Sequence, residues 1–281
     1  MAAAISNKPI PLLAMLTIMI MTQTVYSATE FAITFEGFDN EEIHLEGDAT
    51  ISANNEIQLT KINADNGNPL PRSVGRVSYS QPIRLWDSST GEIPHQCSLL
   101  HSSRRRPRLL HRSFQRHPPP DSYGSLLGLF SGPPGEIHSN NIVAVEFDTF
   151  TNHGYQDPDY KHIGIDVNSI VSEATTEWRY WRNGVADTVR VNYNPYSKIL
   201  KVSAQYTSGE SIDLLSHEVD LAAILPEWVR IGFSGATGDY TQSNVIQYWF
   251  LHTKLLAVNN GGVMTARRDN NNEGYIIASV V

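Results

Sequence analysis

The segment VAVEFDTFTNHGYQDPDYKHIGIDVNSI, residues 143–170, gathers side chains that can hold a cation: Glu146, Asp148, Asn152, Asp157 and His162. Asp148, Asn152, Asp157 and a backbone carbonyl such as that of Phe150 are hard oxygen donors and suit Ca²⁺. Glu146, Asp148, Asp157 and His162, with water completing an octahedron, add an imidazole and suit Mn²⁺ or another transition ion. Asp148 and Asp157 could bridge the two. Three carboxylates in one place repel one another unless a divalent cation compensates. The plainer alternative is a half-exposed strand with acids on its wet face, followed by a polar loop tightened by Gly154 and Pro158. Neither an EF-hand loop nor an HExxH helix is present to decide between them.

Positioning these groups falls to a strand. In extended chain Val143, Val145 and Phe147 face one way and Glu146, Asp148 and Phe150 the other. The rest of the chain has the same texture. FAITFEGF, IHLEGDATIS, EIQLTKI and RVSYSQPIRLW before residue 87 are short alternating runs closed by Asn, Asp, Gly or Pro. So are DTVRVNYN, KILKVSAQY, WVRIGFSGA and VIQYWFLHTKL after residue 186. No stretch keeps a 3.6-residue apolar period. Leu214–Ile224 fits a short helical turn or a loop between strands, and Asn183-Gly184 fits a hairpin turn. The expected fold is an all-β sandwich of large antiparallel sheets.

Composition narrows the function. With 21 Lys+Arg against 29 Asp+Glu, the formal charge of -8 argues against a general nucleic-acid binder. A single cysteine excludes a disulfide framework and a multi-thiolate metal site. Lys8, the apolar run PLLAMLTIMIM, and Val25 and Ser27 at the positions a signal peptidase reads make residues 1–27 a secretory signal peptide, too short in its apolar part to span a bilayer. The folded domain is expected over residues 28–258, on a route to the cell exterior or the vacuole. Residues 259–281, loop-like and then YIIASVV, read as a disordered or trimmed tail.

AVEFDTFTN, the following DP, HIGIDVNSI and PEWVRIGFSGATG carry a resemblance, joined by GDATIS, LTK and GRVSYSQPIRLWDSSTGE nearer the N-terminus. Together they resemble the legume lectin family. The resemblance implies a flattened jelly-roll β-sandwich, assembled as homodimers or homotetramers. Its function would be non-enzymatic binding of mono- or oligosaccharides and glycoproteins, with Ca²⁺ and Mn²⁺ ordering the binding loops. It assigns Mn²⁺ to Glu146, Asp148, Asp157 and His162, and Ca²⁺ to Asp148, Asn152, Asp157 and the Phe150 carbonyl. For the sugar it implies the Asn152 amide, the Phe150 ring against the apolar pyranose face, backbone NH groups of Asp239 and Tyr240, and one near Gly124 or Ser125. The family has glycine at the second of the last pair.

One stretch departs from this pattern. Residues 93–120, IPHQCSLLHSSRRRPRLLHRSFQRHPPP, hold six arginines, four histidines, the only cysteine and no acid. Unpaired arginines are too costly to desolvate in a buried strand, so a basic, insert-like bulge is expected there. The family would instead supply strands and an Asp that accepts two sugar hydroxyls, so the printed sequence is expected to bind sugar weakly or not at all. Codons for Arg104–Ser113, read one nucleotide later, accommodate Ala-Asp-Gly-Leu-Ala-Phe-Phe-Ile-Ala, as an out-of-frame translation would. A lectin-like storage or defence protein without sugar binding is the alternative function.

Overall fold

The computed structural model describes residues 26–35, 42–86, 96–103, 108–109, 117–132, 138–179, 187–205, 211–258 and 274–280. Their strands are numbered β1–β18 in chain order. One sheet runs β1 (Tyr26–Phe35), β17 (Tyr248–Val258), β7 (Gln96–Ser103), β12 (Asp187–Asn194), β13 (Ile199–Gln205) and β14 (Ser211–Glu218), every pairing antiparallel. The opposing layer runs β2 (Ile43–Gly47), β5 (Val74–Tyr79), β15 (Trp228–Ala236), β18 (Gly274–Val280) and β8 (Arg108–Leu109), with β6 (Ile83–Arg84) pairing the start of β15. Beside it lie β9 (His138–Asp148), β10 (His162–Ser169) and β11 (Ala174–Glu177). A small separate sheet is made of β3 (Thr50–Ile51), β4 (Ile57–Gln58) and β16 (Val245–Ile246).

Alternating apolar side chains from both layers meet in the middle, as a sandwich requires. Trp249 of β17 and Phe233 of β15, both fully buried, cross edge to face with centroids 5.0 Å apart. Leu200 and Val202 of β13 and Ile163 and Ile165 of β10 are buried in the same core. Each such side chain stabilises the fold by about 1.5–3 kcal/mol relative to exposure. The predicted all-β sandwich is therefore the fold, and the strands read at 187–194 and 228–236 have the expected bounds.

Three expectations are corrected. The stretch 93–120 is not wholly a bulge: Gln96–Ser103 forms β7, hydrogen-bonded to β12 on one side and β17 on the other. The charge that argued against a strand begins at Arg104, after β7 has ended, and QCSLLHSS carries no arginine or lysine. Part of the expected C-terminal tail, Gly274–Val280, is a strand parallel to β15. Leu214–Ile224 is neither one turn nor one loop: β14 continues to Glu218, and Leu221–Ile224 then form a helical turn whose first amides are capped by Asp220, its carboxylate accepting from the Ala223 amide at 3.3 Å. Residues 1–25 of the expected signal peptide, Asn183-Gly184, Arg104–Arg106, Arg112 and Arg116 lie outside the described residues.

Candidate functional site

β9 and β10 pair antiparallel with Asp148 opposite His162 and Glu146 opposite Gly164. Side chains directly opposite in register share a face, and Glu146 lies two residues before Asp148 on that same face. Donor atoms of Glu146, Asp148 and His162 consequently lie within 4.8 Å of one another. Gly164 makes room for them, because a Cβ there would overlap Ser172 Oγ and the Glu146 carboxylate. Glu146 and Asp148 are each 2% exposed and His162 1%, which overturns the alternative of acids on a wet strand face. The strand is covered on both sides from Ile142 to Asp148.

Electrostatics in this cluster are dominated by the carboxylates. His162 Nε2 lies 2.9 Å from Glu146 Oε1. Burial by itself would depress the imidazole, but the Glu146 hydrogen bond and the charges of Glu146, Asp148 and Asp157 outweigh it and hold its pKa above the ordinary histidine value. Asp157 comes from the loop between the strands, and its Oδ2 accepts the Asn152 amide at 2.7 Å. Asp148 Oδ1 accepts the Phe150 amide at 2.6 Å. Asn152 Oδ1 and His162 Nδ1 are buried without a hydrogen-bond partner. Buried, converging carboxylates beside an imidazole and an unpartnered amide oxygen fit a divalent cation: like charges this desolvated cost several kcal/mol each unless neutralised, and oxygen with imidazole is the donor set of hard and borderline ions. On the other face of β9, Phe147 packs edge-on against buried Trp178, centroids 5.2 Å apart.

Two residues beyond Asp148 a pocket of about 410 Å³ opens. Three loops supply most of its lining, Gly124 and Ser125, Phe150 and Asn152, Asp239 and Tyr240, and Arg72 joins them from a fourth segment. All the residues read from the sequence as sugar contacts are thus brought together on one wall system. Gly124, at φ +59°, lets the first loop approach the third so closely that a Cβ would stand 3.2 Å from Gly238 Cα. Its amide donates to the Thr237 carbonyl at 3.1 Å, leaving Ser125 to offer the donor expected from this pair. Phe150, 41% exposed, stacks on Tyr240, 75% exposed, with centroids 5.0 Å apart and 29° between the rings.

The third loop is held at both ends. The Thr237 amide donates to Ser73 O at 2.9 Å and its hydroxyl to Leu70 O at 2.8 Å. The Thr149 hydroxyl donates to Gln242 Oε1 at 2.9 Å, and Gln242 Nε2 to buried Asn244 at 3.0 Å. Arg72, missed by the sequence reading, joins the first and third loops: its amide donates to Gly238 O at 3.0 Å, its guanidinium to Asp239 Oδ1 at 3.2 and 3.3 Å, and its cationic carbon lies 5.5 Å from the Tyr123 ring centroid. Thr149, Gln242 and Tyr123 also line the pocket unforeseen. No local signal marks Arg72, whose partner Asp239 is 167 positions away.

A family model described as the legume lectin domain matches residues 29–102 and 109–261. This chain belongs to the legume lectin family. The match passes over residues 103–108, where the arginine run begins. Agglutinin-2 of Cladrastis kentukea is 41% identical over 268 residues, covering 89% of this chain and 91% of that protein. The mannose/glucose-specific lectin of Centrolobium tomentosum is 42% identical over 238 residues, 80% of this chain and 96% of that one. Among solved structures, lectin II from Ulex europaeus matches with a TM-score of 0.69 at 36% identity, covering 80% of this chain and 99% of its own. The resemblance drawn from AVEFDTFTN and PEWVRIGFSGATG is therefore family membership, and the sandwich is the legume lectin fold. Legume lectins are carbohydrate-binding proteins. Among the described residues no helix is long and apolar enough to cross a membrane.

Proposed function

We propose that this chain is a metal-dependent, non-enzymatic lectin that binds mono- or oligosaccharides, free or on glycoproteins, in the pocket between the three loops. The observation that carries the proposal is the adjacency of two features on one strand end: a buried Glu146–Asp148–His162 cluster, and, two residues on, an open pocket walled by Phe150, Asn152 and Tyr240. Mn²⁺ would be held by Glu146, Asp148, Asp157 and His162, and Ca²⁺ by Asp148, Asn152, Asp157 and the Phe150 carbonyl. Bound cations would supply positive charge that fixes the loop between β9 and β10. The chain's own groups do the recognition. Phe150 offers an apolar face to a pyranose, the Asn152 side-chain amide and the Ser125, Asp239 and Tyr240 backbone NH groups donate to hydroxyls, and no bond is made or broken.

Affinity is expected to be low. Residues 93–120 contain no acid, and the acid lining the pocket, Asp239, is already paired with Arg72. A missing charged acceptor costs roughly 1.5–3 kcal/mol, or one to two orders of magnitude in Kd. That observation favours, as a second reading, a storage or defence protein that keeps the sandwich without binding sugar. A glycan array and monosaccharide titrations of the purified chain, repeated after EDTA and after return of Ca²⁺ and Mn²⁺, separate the two. Chelator-sensitive binding supports the first, and no binding with both ions bound supports the second. We further propose secretion to the cell exterior or vacuole and assembly as a homodimer or homotetramer, which N-terminal sequencing of the native protein and sedimentation test. Nucleic acid is not an expected partner, given the charge of -8.

A further inference from the structure

We infer that Gly274–Val280 is a donor strand, supplied by the chain's own C-terminal end to a slot between β15 and β9 and holding the ion-binding hairpin to the rest of its layer. β15 is occupied along one side by β5 and β6. Along the other, β18 pairs with it from Val229↔Gly274 to Gly235↔Val280. β9 is paired with β10 on one side, and on its other side β18 approaches it as extensively as it approaches β15. β8 is in register with β18 at a single pair, Ala278 with Leu109. Among the described residues, the C-terminal strand makes the most extensive link between the β2–β5–β15 unit and the β9–β10–β11 unit, with the short β8 beside it.

Sequence and topology agree with that position. YIIASVV is an apolar run broken only by Ser279 rather than an alternating one, and it is rich in the β-branched residues that favour strands. Parallel pairing needs a long crossover, and the chain between Ala236 and Gly274 provides one by way of β17 in the opposite sheet. β15 is buried at every position from Ile231 to Ala236, and β9 from Ile142 to Asp148. Withdrawal of β18 would leave amides and carbonyls along the facing edge of β15 without partners and would uncover β9, and unpaired buried backbone groups are rare because they are costly.

The experiment compares the full chain, a chain ending at residue 273, and a full chain with a protease site inserted between residues 259 and 273. Backbone hydrogen exchange, thermal unfolding and native mass are measured without sugar, so the result is independent of saccharide binding. Truncation is expected to lower Tm by more than about 5 °C and to speed exchange of the 229–235 amides by at least roughly tenfold. A synthetic peptide of residues 274–281 should reverse both, and a scrambled peptide should reverse neither. If the truncated chain does not fold, the cleaved chain carries the test, its released segment expected to stay bound through native mass measurement. The inference is overturned by a truncated chain that keeps the parent Tm and exchange pattern. It is equally overturned by a cleaved segment that departs without effect, or by a dimer that falls apart only on truncation, which would place the strand in a second copy.

Discussion

The hairpin that carries the acid cluster and the layered core that supports it are built at opposite ranges of the chain. Glu146, Asp148 and His162 converge through one local strand pairing, with Asp157 in the loop that connects the two strands, whereas Trp249 meets Phe233 across two sheets and β18 reaches β15 from far along the sequence. Local pairing makes chemistry readable from spacing. Long-range pairing makes the support for that chemistry invisible until the chain is folded. The two regions should also fail differently: loss of core packing abolishes both, and loss of the cluster leaves a sandwich with an inert loop.

The largest effect is expected in the core. Trp249→Ala should cost about 3–5 kcal/mol, read as a lower urea midpoint and as loss of metal and sugar binding together. If metal binding survived while stability collapsed, the hairpin would be more independent of the sandwich than its burial implies. Next is Asp148→Asn. A site loaded at a hundredfold its Kd contributes about 2.7 kcal/mol, so this variant should lose roughly that in Ca²⁺ and Mn²⁺ and become indifferent to EDTA. The sign discriminates: acids that merely repel one another would be stabilised by the same change.

Smaller effects belong to the pocket. Phe150→Ala is expected to weaken saccharide binding by about 0.5–1.5 kcal/mol with unfolding unchanged, as calorimetry and melting would show. Arg72→Met removes an ion pair that is largely exposed on both sides, so about 1 kcal/mol or less is expected. Its signature is a reduced salt dependence of binding. A larger loss in Arg72→Met than in Phe150→Ala would move the centre of recognition from the aromatic ring to the loop.

Legibility followed the same division. The cluster was readable from residue types alone, because alternation put Glu146 and Asp148 on one face and the loop returned Asp157 and His162 to them. Burial was not: whether that face is wet depends on what covers β9. The pocket walls came from family resemblance, since Gly124, Asn152 and Asp239 have no spacing that relates them. Reading 93–120 as one block averaged the neutral Gln96–Ser103 with the arginines beyond it and hid β7. YIIASVV carried a strand's composition, but at the chain end no turn signal announced a partner. Arg72 was silent because an exposed arginine in a turn acquires a role only through the loop it meets.

Trp178 packs edge-on against Phe147, on the strand that bears Glu146 and Asp148, and its own amide donates to Lys161 O, next to His162, at 2.8 Å. The fold therefore places a buried indole against the back of β9 and ties its backbone to the residue that precedes β10. Were a cation to load the cluster, the fluorescence of Trp178 would register it without a label, and the part of the signal lost in Trp178→Phe would separate it from the other four tryptophans.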